Sequence, residues 1–199
     1  MAASDRRAEL LEAAIRVMAR EGVAKATTRA IVNEADMTLG AFHYCFESRA
    51  HMLELVTETL TERYVAGVRS QFTPQKNIRD SVIDSLRAFW KEFEASPGGH
   101  QISYELTQFA LREPGFENVA KRQYEIFLQA FVSLLDLAAH NAGIEWTQSV
   151  PILARYVLSM IEGLNLVWLV DRNTDHSQAV LDMLADHLLQ HARPAGTPT

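Results

Sequence analysis

The sequence predicts an all-α protein of about nine helices. Clusters of proline and glycine divide its 199 residues into segments. Each segment repeats its apolar residues at spacings of three and four, with no convincing strand alternation. The chain is also 48% hydrophobic, enough to bury a core.

Ser4 and Asp5 open a first helix with Leu11, Ala14, Ile15 and Met18 on one face, and Gly22 ends it as a C-cap. Thr27 or Thr28 caps a short second helix and Thr38 a third. Ser48 caps a longer one, whose Met52, Leu53, Val56 and Leu60 keep helical spacing as far as Thr73-Pro74. Further helices are predicted from about Asn77 to Ala95, Gln101 to Arg112, Phe116 to Ala142, Thr147 to Asp171 and His176 to His191. The breakers are Ser96-Pro97-Gly98-Gly99, Glu113-Pro114-Gly115, Asn141 to Gly143, and Asn173 to Asp175. Pro151 falls in a first helical turn, where a missing N–H costs little. The Pro- and Gly-containing tail, residues 193–199, is expected to be disordered.

Composition narrows the function. Cys45 is the single cysteine, so no internal disulfide framework exists, and the N-terminus lacks the apolar core of a signal peptide; a cytoplasmic protein is expected. The most apolar stretch, Val157 to Val170, is interrupted by Glu162 and Asn165 and falls short of the ~20 apolar residues that span a bilayer. No membrane partner is expected. The net charge of −6 is uneven: residues 1–51 hold seven Lys or Arg against seven Asp or Glu, and the rest hold 12 against 18. The excess acid would help keep the later part of the chain away from phosphate.

The informative stretch is TTRAIVNEADMTLGAFHYCFESR, Thr27 to Arg49. Two short helices flank a tight connection at Asp36-Met37, the form of a helix-turn-helix, and Asp tolerates the left-handed backbone better than most residues. Phe42 and Phe46 share a face and read as the buried side of the third helix. Gly40 and Tyr44 then point outward, flanked by Ala41 and His43. This face is nearly free of acid and offers small residues, a phenol and an imidazole to phosphate or base edges. A cation at a helix N-terminus is unfavourable by itself, so Arg29 implies an outside partner. Leu39 lies ~60° from the core direction, and partial burial and groove contact fit it equally. Cys45 reads as a small packing residue, since no resolving cysteine exists for a redox sensor.

This string resembles the signature of TetR-type transcriptional regulators, with Thr27, Arg29, Ile31, Ala35, Thr38, Gly40, Phe42, Tyr44 and Phe46 on the pattern and Leu11, Ala13, Ala14 and Gly22 fitting the family's first helix. It departs where Asp36 replaces glycine, His43 tyrosine and Cys45 histidine. The resemblance covers about a quarter of the chain and implies a three-helix helix-turn-helix head over 1–50, a linker helix over 51–73 and a helical effector and dimerisation domain over 74–192. It implies that Arg29 reads bases and that Thr28 and Thr38 touch phosphates. Leu39, Gly40 and Ala41 would form the tip of the recognition helix, with His43 and Tyr44 as its aromatic pair. Arg49, behind its Ser48 cap, would hold a phosphate.

The resemblance also implies pairing of subunits through the last two helices. Gly163 would admit close backbone approach, and Val180, Leu184, His187 and Leu188 would line the seam; burial within their own subunit fits these residues equally. Trp90, Phe93, Tyr104, Phe109, Tyr124, Phe127, Phe131, Glu162, Asn165 and Trp168 lie on helices that surround the family's ligand cavity. An aromatic cavity with few polar groups would suit a largely apolar effector, although aromatics at helical spacing are commonly plain core. Glu162 needs a partner such as Arg155, a ligand or solvent. His187 and His191 lie four apart but lack a third ligand, so no metal or other cofactor is expected, and no catalytic motif is present.

The expected function is a sequence-specific regulator, not an enzyme. It would act as a homodimeric repressor on double-stranded operator DNA of inverted-repeat form and be released by a small, largely apolar molecule. The alternatives are an all-α small-molecule carrier or enzyme without DNA binding, and a helical interaction module. Only DNA binding explains Arg29, Tyr44 and Arg49 beside a capped helix pair.

Overall fold

The computed structural model describes residues 3–71 and 77–195. The expected break at Thr73-Pro74 and the last four residues of the expected tail lie outside them. Among the described residues there are nine helices: α1 (Ala3–Glu21), α2 (Thr28–Glu34), α3 (Leu39–Cys45), α4 (Arg49–Gln71), α5 (Ile78–Ala95), α6 (Pro97–Ala110), α7 (Glu117–Ala142), α8 (Val150–Asp171) and α9 (Thr174–Leu189). The fold is all-α, as expected. Two short strands, β1 (Ile144–Trp146) and β2 (Ala192–Pro194), pair antiparallel with Glu145 opposite Arg193.

The caps of the first helices are set locally. The Thr27 hydroxyl accepts from Ala30 N–H at 3.2 Å and Thr38 from Ala41 N–H at 3.3 Å, so Thr27 is the cap and Thr28 the first helical residue of α2. Ser48 accepts from His51 N–H at 3.0 Å ahead of α4. Gly22 ends α1 at φ +84 and its N–H bonds Met18 C=O.

Three differences from the sequence reading have local causes. Helix α6 begins at Pro97 rather than Gln101, because Pro suits the first helical position and Gly98 and Gly99 fall where backbone N–H groups have no helical partner in any case. The strands answer an expectation of none, and Arg193 and Pro194, expected in the tail, belong to β2, with Ala195 N–H bonded to Gly143 C=O. Helix α8, taken over its full 22 residues, is long and apolar enough to cross a membrane by length and composition, although its most apolar stretch, Val157 to Val170, falls short of one. Its Leu153, Val157, Leu158 and Ile161 are nonetheless core residues of a folded unit.

The chain divides into two compact units, Met1–Arg63 with Ser96–Glu125, and Tyr64–Ala95 with Ile126–Thr199. In the first, α1 packs on α2, α3 and α6, and α2 on α3. Leu10, Ile31, Phe42, Phe46, Leu53 and Leu106 are fully buried there. Glu34 accepts from both Arg16 and Arg20, Glu12 pairs with Arg63, and Glu58 with Arg122. These exposed pairs add little each. In the second unit, α9 packs on α5 and α8, and Phe89, Trp90, Phe93, Ile161, Leu181 and Leu184 are buried.

Candidate nucleic-acid interface

The two short helices α2 and α3 are joined by a turn closed on itself. Met37 N–H bonds Val32 C=O at 2.8 Å and Asp36 N–H bonds Asn33 C=O at 3.2 Å. Asp36 takes the left-handed conformation, φ 50, that such a turn demands. Phe42 and Phe46 are 1% and 2% exposed, with ring centroids 5.0 Å apart, and they anchor α3 in the core. Such a ring pair contributes about 0.5–1.5 kcal/mol beyond its buried area.

Anchoring that face turns the opposite one outward. Arg29, Thr38, Leu39, Gly40, His43 and Tyr44 are exposed, with Tyr44 at 69%, while Thr28 and Ala41 are half-buried. Leu39 is 43% exposed, so it is not a core residue. A Cβ at Gly40 would meet nothing nearer than Thr38 Oγ1 at 3.7 Å. Internal packing therefore does not require this glycine. The Thr38 hydroxyl, accepting at the cap, still has its own proton to donate to a phosphate. Arg29 takes no part in the ion pairs that occupy Arg16, Arg20 and Arg63. Cys45 is buried, 4% exposed, as a packing residue.

Two basic residues escaped the sequence reading. The Arg6 guanidinium lies 5.5 Å from the Tyr44 ring centroid, and Arg7 lines a cleft of about 450 Å³ with Ser4, Ala8, Leu11, Tyr44 and Cys45. The paired arginines near the start of the first helix were visible, but only packing of α1 on α3 brings them beside Tyr44.

Arg49 is placed otherwise than expected. Its Nη2 donates to Val23 C=O at 3.1 Å, its guanidinium lies 5.0 Å from the Phe109 ring and 6.0 Å from Phe116, and its Nε is buried without a partner. Burial lowers its pKa from the usual arginine value, with the nearby Glu113 carboxylate opposing the shift. The side chain is packed inward, because two aromatic faces and a carbonyl lie within its reach.

The expected effector residues fall into separate groups. Phe109 packs edge-on to Phe116 in the first unit, to which Tyr104 and Tyr124 also belong. In the second unit Trp90, Phe93 and Trp168 form a cluster with centroids 5.3–5.7 Å apart. Trp168 Nε1 donates to Thr174, whereas Trp90 Nε1 and Asn165 Oδ1 are buried without partners. Phe127 and Phe131 are buried and Glu162 is half-buried. A small cavity of about 40 Å³ is lined by Phe131 and by residues the sequence reading did not name, among them Val82, Leu86, Phe89 and Leu135.

On the expected seam, Gly163 is exposed with open space where a Cβ would stand. Val180 is half-buried, and His187 is exposed and bonded to Tyr156 Oη at 2.6 Å. Leu184 and Leu188 are corrected to core positions, 3% and 1% exposed, since their face of α9 packs inward and Leu188 lines the cavity. The exposed large apolar residues are instead Ile152, Met160, Leu166, Val167 and Val170 of α8 and Met183 of α9.

A capped helix pair with an acid-poor outward face above an aromatic anchor defines a helix-turn-helix DNA-binding protein. Residues 10–56 match the family described as bacterial regulatory proteins, tetR family. The chain is 25% identical over 185 residues to the nicotine-responsive transcriptional repressor HdnoR of Paenarthrobacter nicotinovorans, covering 93% of this chain and 94% of that one. A putative TetR-family regulator from Rhodococcus sp. superposes with a TM-score of 0.79 at 19% identity, covering 93% and 98% of the two chains. The multidrug binding protein EbrR, solved with imidazole, gives a TM-score of 0.67 at 24% identity, covering 98% and 97%. The helix-turn-helix head, residues 10–56, is thus of the tetR regulatory-protein type, and the chain as a whole is similar to transcriptional regulators of that kind.

Proposed function

We propose that this regulator is a cytoplasmic repressor that binds an inverted-repeat operator as a homodimer and is released by a small, largely apolar ligand. The observation that carries the DNA reading is the exposed set Arg29, Thr38, Gly40, His43 and Tyr44 mounted over the buried Phe42–Phe46 pair. In this reading 1–50 serve DNA, 51–73 the linker helix and 74–192 ligand and pairing, with Ser96–Glu125 of the last stretch packed in one compact unit with Met1–Arg63. One head reads too few base pairs for useful specificity, so two must be held about one helical turn of DNA apart. The exposed Leu166, Val167 and Val170 of α8, with Met183 of α9, supply an apolar face suited to pairing two subunits.

The ligand reading is supported by the wholly hydrocarbon character of the cavity walls apart from Ser85. The cavity is too small for a drug-sized molecule, so binding must displace side chains, and a compact apolar or aromatic compound is favoured. Trp90 Nε1 and Asn165 Oδ1, an unpartnered donor and acceptor, offer polar contacts of the kind that orient a ligand. The named ligands of the relatives, nicotine and imidazole, are the first compounds to try. The test is a gel-shift series on the DNA upstream of the gene, with and without these compounds. Absence of a specific complex at low micromolar dimer would refute the DNA reading.

A further inference from the structure

Two side chains from different helices converge on the backbone of one residue, Val23, just beyond the end of α1. Val23 N–H donates to Glu105 Oε2 at 2.9 Å, and Val23 C=O accepts from Arg49 Nη2 at 3.1 Å. The same carbonyl accepts from Ala26 N–H at 3.2 Å, and Thr27, the cap of α2, follows at once. Glu105 belongs to α6, 82 residues along the chain, and Arg49 opens α4.

Gly22 N–H bonds Met18 C=O, the single backbone bond of the simpler left-handed glycine cap, which leaves the following N–H without a partner in the helix. That N–H, of Val23, goes to a carboxylate from another helix. A carboxylate at the negative end of a helix is electrostatically unfavourable, so the macrodipole does not hold Glu105 there; the hydrogen bond does. A Cβ at Gly22 would stand 3.2 Å from Glu105 Oε2, so the glycine also leaves room for this approach. Arg49 is at the favourable end for a cation, over two aromatic rings, with its Nε buried and unpartnered. A phosphate anchor holds its charge toward solvent, and this one is packed inward.

We propose that Glu105 and Arg49 are positioning residues for sequence reading. By holding the backbone N–H and C=O of Val23, and so the peptide planes on both sides of its Cα, they set the angle at which α2 and α3 leave α1, making α6 part of the device that presents the recognition helix. The proposal rests on the reading of α2 and α3 as the DNA interface. Neither side chain needs to touch DNA. Base edges are read only in correct geometry, whereas phosphate attraction tolerates small rotations, so loss of the clamp should lower discrimination rather than general affinity.

The test uses the full chain and an operator selected in vitro with it. E105A, E105Q, R49A, R49K and R29A are compared on operator and scrambled duplex, with thermal midpoints. E105A and R49A should lose about tenfold on the operator, the scale of one mismatched base pair, while scrambled-duplex affinity stays within about twofold because phosphate contacts remain. E105Q, whose amide oxygen still accepts from Val23, and R49K, which can still donate, should retain more discrimination than the alanine variants. A merely structural role would lower the midpoint and leave the operator-to-scramble ratio alone, and that result in E105A overturns the proposal. Equal proportional losses on both duplexes in R49A would return Arg49 to phosphate contact and overturn its part. Should the alanine variants fail to fold, Val23 amide exchange in the parent chain decides: slow exchange supports the clamp, and fast exchange overturns it. Loss of discrimination in E105A with none in R29A would remove Arg29 as a base reader and leave the clamp standing.

Discussion

Arg29 stands near the N-terminus of α2, exposed and outside the head's ion pairs. A planar donor fork in that place can pair with a guanine edge. Arg29→Ala is expected to cost ~1–3 kcal/mol on the operator and much less on random DNA; equal losses in salt titrations on the two duplexes would remove it as a base reader. Thr38 has a double task, accepting from Ala41 N–H and offering a proton outward. Thr38→Ala should lower stability by ~0.5–2 kcal/mol, as loss of a cap does, and weaken DNA binding as well. Denaturant midpoints and gel shifts read the two effects separately. The caps, the left-handed Asp36 and the outward Tyr44 were legible because each is decided within about four residues of chain. The inward turn of Arg49 was not, since Phe109 and Phe116 lie some sixty residues away in sequence.

Helices α8 and α9 show what periodicity leaves open. Spacing identifies a stripe of residues, but an apolar helix carries apolar residues on both its inner and outer faces. Leu184 and Leu188, which fit seam and core equally by spacing, are core, while Val170, 83% exposed, and Met183, 70% exposed, lie outside the expected stripe. Leu184→Ala should therefore cost ~2–5 kcal/mol through the cavity it leaves. Val170→Lys or Met183→Lys should leave the folded subunit intact and weaken pairing, measured by light scattering at micromolar concentration. Gly163→Leu should act likewise, since open space lies over that glycine; unchanged dimerisation in all three would place the interface elsewhere.

For the molecule as a whole, effector and operator are expected to oppose one another. Allosteric coupling of ~1–3 kcal/mol is typical and must be reciprocal. A compound that raises the thermal midpoint equally with and without operator DNA binds without regulating. Acid stability has its own expected signature. Burial holds the His100 imidazole down at a pKa of about 4, against 6.5 when unfolded. Between those values the unfolded chain binds the proton and the folded one does not, so this stability is complete above 6.5 and is lost as pH falls toward 4. The contribution to the slope is at most about 1.4 kcal/mol per pH unit. His100→Gln should flatten that limb of a pH series of urea unfolding curves, and an unchanged slope would show that His100 does not govern it.

By itself the sequence determined the helical class, the presence of α2 and α3 about the Asp36-Met37 turn, the Thr38 cap and the face α3 presents. These follow from hydrogen bonds and spacings closed within a turn or two of helix, which any chain carrying Thr27 to Phe46 must satisfy locally. Tertiary structure alone decided that α6 joins α1 in one compact unit, that Glu105 and Arg49 meet at Val23, that Arg6 lies beside Tyr44, and that β1 finds β2. The physical reason is one of range. Local pattern fixes a side chain's direction about its own helix axis, whereas its partner is chosen by packing between elements far apart in the chain.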